Sequence, residues 1–436
     1  MAKWPFRFGR RSVGGGEDGA ALGRERSDNL VKMLLSLETR TAAKGAITER
    51  GVEVVPFLLA ALKDPAYRVR RLPEPHTAME LLKGGNARPL LDVFDCLVHY
   101  ESPEVIAAVS GLLHDAEDQV RNETALFLGT VASDNCIEPL QAVLSADDER
   151  VGDHAMIGLL RVLDKKDVSG QFRDAVFDAI LPLVQTEDRS QAAECLLQLD
   201  RERAIAHLTT PEALAPRQAG LHETLRALRE ARVKVDEAPL LSIVDELESD
   251  DETSPHDFVL GEALRALGRY DSERARDAIQ RGLKASTERV REGAAMGMAL
   301  SHGVEDAFGT AFDKLNEVGW EGLTEPQANA LAVRILIDEV NNGGFDQYFA
   351  NSSGDQWEIA LAGFERIGAG TDLALLRQAC TAFEAGGPSS DHAEREHQLR
   401  QCEAFPDDLD ESFFEDRDGR EVLLIRYIAR HAADFR

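Results

Sequence analysis

The residues whose types and spacing can do chemistry lie near the carboxy terminus. Asn341-Asn342-Gly343-Gly344-Phe345-Asp346-Gln347-Tyr348-Phe349-Ala350-Asn351 interleaves amides, glycines and aromatics. Asn341, Gln347 and Asn351 are amides, and amides are neither general bases nor nucleophiles. Gly343-Gly344 lacks the lysine and the strand context of a phosphate loop. The run can instead end a helix, because Asn and Gly accept the left-handed backbone. Phe345 then folds back onto the stripe just ended, and Gln347 and Asn351 serve the open carbonyls and amides of the next turn. One reading is a packed turn that knots three helices. The other is a ligand-binding or enzymatic pocket beside Tyr348. The motif residues carried forward as binding candidates are Asn341, Gly343, Gly344, Phe345, Gln347, Tyr348 and Asn351.

A second constellation is electrostatic. Asp407, Asp408, Asp410, Glu411, Glu415, Asp416 and Asp418 crowd a short stretch opposed only by Arg417 and Arg420. The chain has 78 acidic and 49 basic residues, a net charge of -29. Residues 301–436 hold 27 acids against 11 bases, a net of -16, whereas 51–300 hold 45 against 28, a net of -17 over nearly twice the length. Acids three or four apart on a helix stand about 5–6 Å apart, and duplex DNA carries one charge per roughly 1.7 Å of axis. Such a face can imitate part of a phosphate row, provided the fit is close, because the field reaches only about 8 Å at physiological salt. An ordinary solvated acidic loop is the alternative.

Other constellations give little. His392 and His397 lie five apart, where zinc on one helical face needs three or four. The five cysteines form no CxxC pair, which disfavours a disulfide framework and favours a reducing, cytoplasmic setting. Gly84-Gly85-Asn86 reads as an inter-helix turn. No catalytic residue, metal ligand or cofactor motif emerges, and the expectation is a non-enzymatic protein.

Helical periodicity positions these groups. An acidic turn, then Val-Arg or a near equivalent, then a small or apolar stripe recurs. It runs as Lys63-Asp64-Pro65 before Val69-Arg70, His114-Asp115 before Val120-Arg121, and Asp147-Asp148 before Val151. It returns as Asp250-Asp251 before Val259 and Thr287-Glu288 before Val290-Arg291. Val120 to Val151 is 31 residues, and so is Val259 to Val290. Two helices of about 12 residues and two turns fill that period. Neither can bury its stripe alone, so neighbouring hairpins stack. The turn Asp is expected to cap the second helix, the Val to enter the core, and the Arg to reach carbonyls or acids of the adjacent unit. Ala and Gly in the second helix allow close approach. Residues 164–245 carry stripes (Phe172, Val176, Ile180; Ala193, Leu196, Leu197) without the full signature, and Pro73 and Pro75 interrupt the first unit.

This pattern resembles the short HEAT-like repeats, including those of phycobilin lyase-type proteins, over about residues 28–310. The resemblance implies an α-solenoid that serves as a binding scaffold; a lyase role would want a distinctive Cys or His cluster. Beyond about Ala311 aromatics thicken. The helix bearing Leu331, Ile335, Leu336 and Val340 runs into the glycine motif, Ser353 or Asp355 can cap the helix bearing Trp357, and Gly368 closes it. The NGGFxQYFxN core, the preceding Asp338 and Glu339, Ile367-Gly368-Ala369 and the closing Tyr427 helix resemble a bacterial domain typified by acidic DNA-mimic proteins. That resemblance implies an all-α domain, one branch of which acts as a decoy for a DNA-binding protein.

The expected organisation is all-α. Residues 1–26 form a disordered basic and aromatic tail, 27–310 a HEAT-like solenoid, and 311–436 a compact helical domain. No segment approaches the roughly 18 apolar residues of a membrane span, and the leader lacks the apolar core of a signal peptide. The net charge argues against direct nucleic-acid binding. The partner expected is a protein, basic or DNA-binding, held by the solenoid or by the acidic domain, with DNA mimicry as the alternative function.

Overall fold

The structure is a computed structural model that describes residues 25–36, 38–69, 88–146, 148–186, 189–248, 256–383, 387–402, 405, 407–416 and 419–436. Most of the expected tail, Arg70, Pro73, Pro75, Gly84-Gly85-Asn86, Asp147, Asp250-Asp251 and Asp418 lie outside the described residues, as does the side chain of Asp407. Among the described residues the fold is all-α, without a strand. None of its helices is long and apolar enough to cross a membrane.

Contacts divide the chain into two compact units, Met1–Leu208 and Thr209–Arg436. The first carries α1 (Ser27–Met33), α2 (Arg40–Arg50), α3 (Val55–Ala61), α4 (Pro89–Leu97), α5 (Pro103–Ser110), α6 (Asp118–Val131), α7 (Ile137–Leu144), α8 (Glu149–Leu160), α9 (Gly170–Ile180), α10 (Ala192–Leu199) and α11 (Arg201–Leu208). The second carries α12 (Leu221–Glu230), α13 (Glu237–Leu247), α14 (Asp257–Leu267), α15 (Glu273–Gly282), α16 (Glu288–Ser301), α17 (Ala307–Val318), α18 (Glu325–Ala350), α19 (Trp357–Ile367), α20 (Gly370–Cys380), α21 (His392–Leu399), α22 (Asp407–Phe414) and α23 (Arg420–Arg430).

In each unit the repeat spacing becomes helix-on-helix packing. α6 lies against α8, and α14 against α16. Val120, Val151, Val259 and Val290 are all buried, as their spacing requires. Glycine sets the separation. A methyl group on Gly129 would stand 2.1 Å from the Ala155 carbonyl oxygen, and one on Gly268 would stand 2.1 Å from that of Gly297. Only a residue without Cβ allows backbones so near.

Two expectations fail locally. Val69 is 65% exposed, because Tyr67 takes the inward place and donates its hydroxyl to the Val31 carbonyl at 3.0 Å. The turn aspartates expected to cap α6 and α8 do not cap them: Glu117 and Asp148 stand at those positions without a side-chain cap bond, as does Thr287 at α16. The turn acids serve arginines instead. Asp115 takes Arg68 at 2.7 Å, and Asp148 lies 3.6 Å from Arg121. Serines cap the first helices of the hairpins: Ser102 on α5, Ser169 on α9 and Ser272 on α15. The Arg of Val-Arg behaves alike in both units. Arg121 donates to the Asp115 carbonyl at 2.8 Å and Arg291 to that of Ala285 at 2.9 Å, each lashing the turn before its own helix.

Candidate interaction site at the Gly343–Gly344 kink

α18 starts with a capping box: Gln327 N–H donates to Thr324 Oγ1 at 3.4 Å, and Thr324 N–H donates to Gln327 Oε1 at 3.1 Å. Its buried stripe includes Leu331, Leu336 and Val340. The helix then breaks. Gly344 sits at φ 75°, ψ -179°, and a short helical stretch resumes at Phe345. The positive φ is a glycine conformation, and space enforces it as well: a Cβ on Gly344 would lie 2.2 Å from Asp410 Oδ2. Asp410 occupies that space because its Oδ1 accepts the Phe345 N–H at 3.0 Å. A carboxylate from α22 thus closes an amide that the kink releases.

The motif amides do not serve backbone groups as expected. Glu339, one turn before the kink, accepts from Gln347 Nε2 at 2.7 Å, Asn351 Nδ2 at 2.9 Å and Ser353 Oγ at 3.0 Å. One carboxylate gathers both sides of the break. Ser353 therefore is not a helix cap, and Asp355 is not either. Asp355 Oδ1 accepts from Arg395 at 2.6 Å. Arg395, on α21, is fully buried and also donates to the carbonyls of Phe349 at 2.8 Å, Ser389 at 2.7 Å and Asn351 at 2.9 Å.

Beneath the kink the aromatics fill the interior. Phe345, Tyr348 and Phe349 have no exposed surface. Phe345 meets Phe413 edge-on at 5.5 Å, and Phe349 meets Phe383 at 4.9 Å and Phe405 at 5.8 Å. Burial pushes the Tyr348 phenol far above its usual range, and its hydroxyl has no hydrogen-bond partner among the described residues. Asn341 and Gly343 stand on the exposed side of the turn. The seven motif residues do come together, as the two halves of a packed break.

The acidic candidates separate into two kinds. Asp410 and Asp416 are half-buried and face the protein. Asp416 pairs with Arg420 at 3.0 Å, and Arg420 also pairs with buried Asp372 at 3.2 Å while its guanidinium lies 3.7 Å from the Phe413 ring centre. Asp408, Glu411 and Glu415 are exposed, beside Phe414, which is itself 53% exposed. A second group of acids sits between α16, α18 and α23. Burial raises the carboxyls of Glu292, Asp338 and Glu421 above their usual range, although Arg334 pairs with Asp338 at 2.9 Å and Glu421 at 2.8 Å. Sequence reasoning missed Arg395, Glu339 as the organiser of the amides, and the Asp372–Arg420 pair. Each partner lies tens of residues away or in a stretch that reads as a solvated charged helix.

These helices, knotted by buried ion pairs around an aromatic interior and bearing acids outside, define an acidic all-α domain. Residues 321–431 match the family described as DMP19-like protein, a span running from the turn before α18 to the end of α23. No curated protein matches the chain. Among solved structures, an engineered protein of known crystal structure aligns over 86% of this chain and 97% of its own at 15% identity, with a TM-score of 0.28, too slight a likeness to carry the fold.

Proposed function

We propose that this is a non-enzymatic interaction protein in which an array of HEAT-like helical hairpins carries a DMP19-like domain, and that the acidic face of this domain engages a basic, DNA-binding protein. The observation that carries the reading is the DMP19-like match at 321–431, in a region with 27 acidic and 11 basic side chains over residues 301–436. The family resemblance implies a decoy of the DNA-mimic kind. The exposed acids Asp408, Glu411 and Glu415 supply the charge, and Phe414 among them supplies an apolar anchor. Aromatic anchors ringed by polar groups are where binding energy concentrates, while the acids set encounter rate and salt dependence.

The pocket reading of the motif fares worse. Tyr348 lies under packed rings, and two of the three motif amides, Gln347 and Asn351, are already bound to Glu339. The structural role is the better account of the glycine motif.

The test is an affinity pull-down with the full chain and with a variant in which Asp408, Glu411 and Glu415 are reversed to lysine. Loss of a DNA-binding protein from the reversed variant supports the reading. Equal recovery by both forms refutes the acidic face as the binding surface.

A further inference from the structure

The same turn of the repeat is filled by side chains in the first unit and borders a cavity in the second. Before α6 the turn carries Asp115 and Glu117, and these acids draw in two arginines. Arg68 reaches Asp115 at 2.7 Å and Glu117 at 3.3 Å, and Arg88 also pairs with Glu117. Aligned on Val120-Arg121 and Val290-Arg291, the turn before α16 has Ala285 and Thr287 at those two positions. Neither carries a charge to hold a guanidinium. Ala285 and Thr287 instead line a cavity of about 230 Å³ bounded by α13, α14, α15 and the start of α16.

The floor of this cavity is apolar: Leu247, Leu260, Leu264 and Val290 line it, all buried. Its mouth is charged. Arg281 and Glu248 are taken up with each other, at 2.9 Å. Asp257 and Lys284, of opposite sign, make no hydrogen bond or ion pair with any described residue. Helix ends favour both signs, since Asp257 stands in the first turn of α14 and Lys284 just past the end of α15. Thr287 is a third unmatched group. It occupies the N-cap position of α16, yet its side chain caps nothing, and its hydroxyl is buried without a partner among the described residues. The first amides of α16 therefore lack the bond that a threonine there normally supplies.

These groups together select an occupant. The apolar floor takes a branched aliphatic group. Lys284, the Thr287 hydroxyl and the open amides of α16 suit a carboxylate, and Asp257 suits an ammonium group. A ligand of one sign would leave one of the two unpaired rim charges facing its like, whereas a zwitterion answers both. A cavity of roughly 150 Å³ holds benzene, and by that measure this one takes roughly nine non-hydrogen atoms, the size of leucine. We propose that the cavity binds a free α-amino acid with a branched aliphatic side chain. The side chain lies on the leucines, the carboxylate faces Lys284 and Thr287, and the ammonium group faces Asp257.

Titration calorimetry of the full chain with L-leucine tests the site, beside two analogues that each lack one charge, isocaproate and isoamylamine. Saturable binding with leucine the tightest of the three is the expected result. Lys284→Gln weakens leucine and isocaproate about threefold to tenfold and leaves isoamylamine unchanged. Asp257→Asn weakens leucine and isoamylamine to a like degree and leaves isocaproate unchanged. Thr287→Val weakens leucine while raising the melting temperature, because it removes a buried hydroxyl that has no partner. Free glycine, with both charges and no aliphatic group, binds about tenfold more weakly or worse. Circular dichroism confirms that each variant folds; where one does not, the other charge variant reads the same site. The proposal is overturned if leucine does not saturate below about 10 mM, if either analogue binds as tightly as leucine, or if the folded charge variants bind leucine as the parent does.

Discussion

Gly344→Ala isolates the kink on which the DMP19-like domain is built. Two costs add. A residue with a Cβ held at φ 75°, ψ -179° gives up about 1–3 kcal/mol. The new methyl also displaces Asp410, whose Oδ2 lies 2.2 Å from the Cβ position, and so breaks the bond from Phe345 N–H to that carboxylate. A hydrogen bond to a charged group contributes about 1.5–3 kcal/mol. The sum is about 2.5–6 kcal/mol, on the order of 10 °C in melting temperature for a unit of this size. Trp320 and Trp357, both half-buried in the second unit, report its unfolding by fluorescence in urea. Asp410→Ala removes the same bond without the backbone strain, so the double variant costs less than the two singles added. A Gly344→Ala loss under about 1 kcal/mol, or strict additivity with Asp410→Ala, would refute the kink as a strained and carboxylate-closed element.

Gly268→Ala, whose methyl meets the Gly297 carbonyl oxygen at 2.1 Å, destabilises by about 1–3 kcal/mol in chemical denaturation. Gly45→Ala, with open space around it inside α2, stabilises by about 0.5–1 kcal/mol in the same assay. Arg395→Met leaves Asp355 and three carbonyls without their buried donor and costs about 3–5 kcal/mol, read as a lower urea midpoint. Acid affects two groups of carboxylates in opposite senses. Asp115 and Glu117 are held low by hydrogen bonds from Arg68 and Arg88, so their contribution is present above the unfolded values of 3.8 and 4.5 and lost as pH falls through the folded ones. Glu292, Asp338 and Glu421 are raised by burial, so their contribution is present below 4.5 and 3.8 and lost as pH rises through the folded values. Hydrogen exchange at about pH 3 against pH 7 should show protection falling around Arg68 and Glu117 more than around α18 and α23; the reverse order would contradict the assignment.

The helical class and the burial of Val120, Val151, Val259 and Val290 were legible because a stripe at fixed period must face a neighbour. So was close approach at Gly129 and Gly268, since small residues recur where stacked helices meet. Val69 broke the pattern because Tyr67, two residues earlier, competes for the same inward position. The glycine motif marked the break in α18, and Gly368 the end of α19, since both need left-handed backbone. The partners of the motif were not legible. Glu339 reads as one more surface acid, Arg395 sits in a run of charges, and Asp410 is 65 residues from the amide it closes. Local spacing carries no information on such pairings. For the same reason the acidic stretch read as a single face, whereas Asp410 and Asp416 turn inward to bind Phe345 N–H and Arg420.

Whether the exposed carboxylates of residues 321–431 take a site meant for DNA, as proposed, is open to direct test. The most direct measurement is displacement: a DNA-binding protein captured on the immobilised full chain is challenged with duplex DNA and, separately, with rising salt. Release by both is expected, with affinity falling steeply between about 50 and 200 mM salt, as phosphate contacts do. Retention at high salt, undisturbed by saturating duplex, would contradict it.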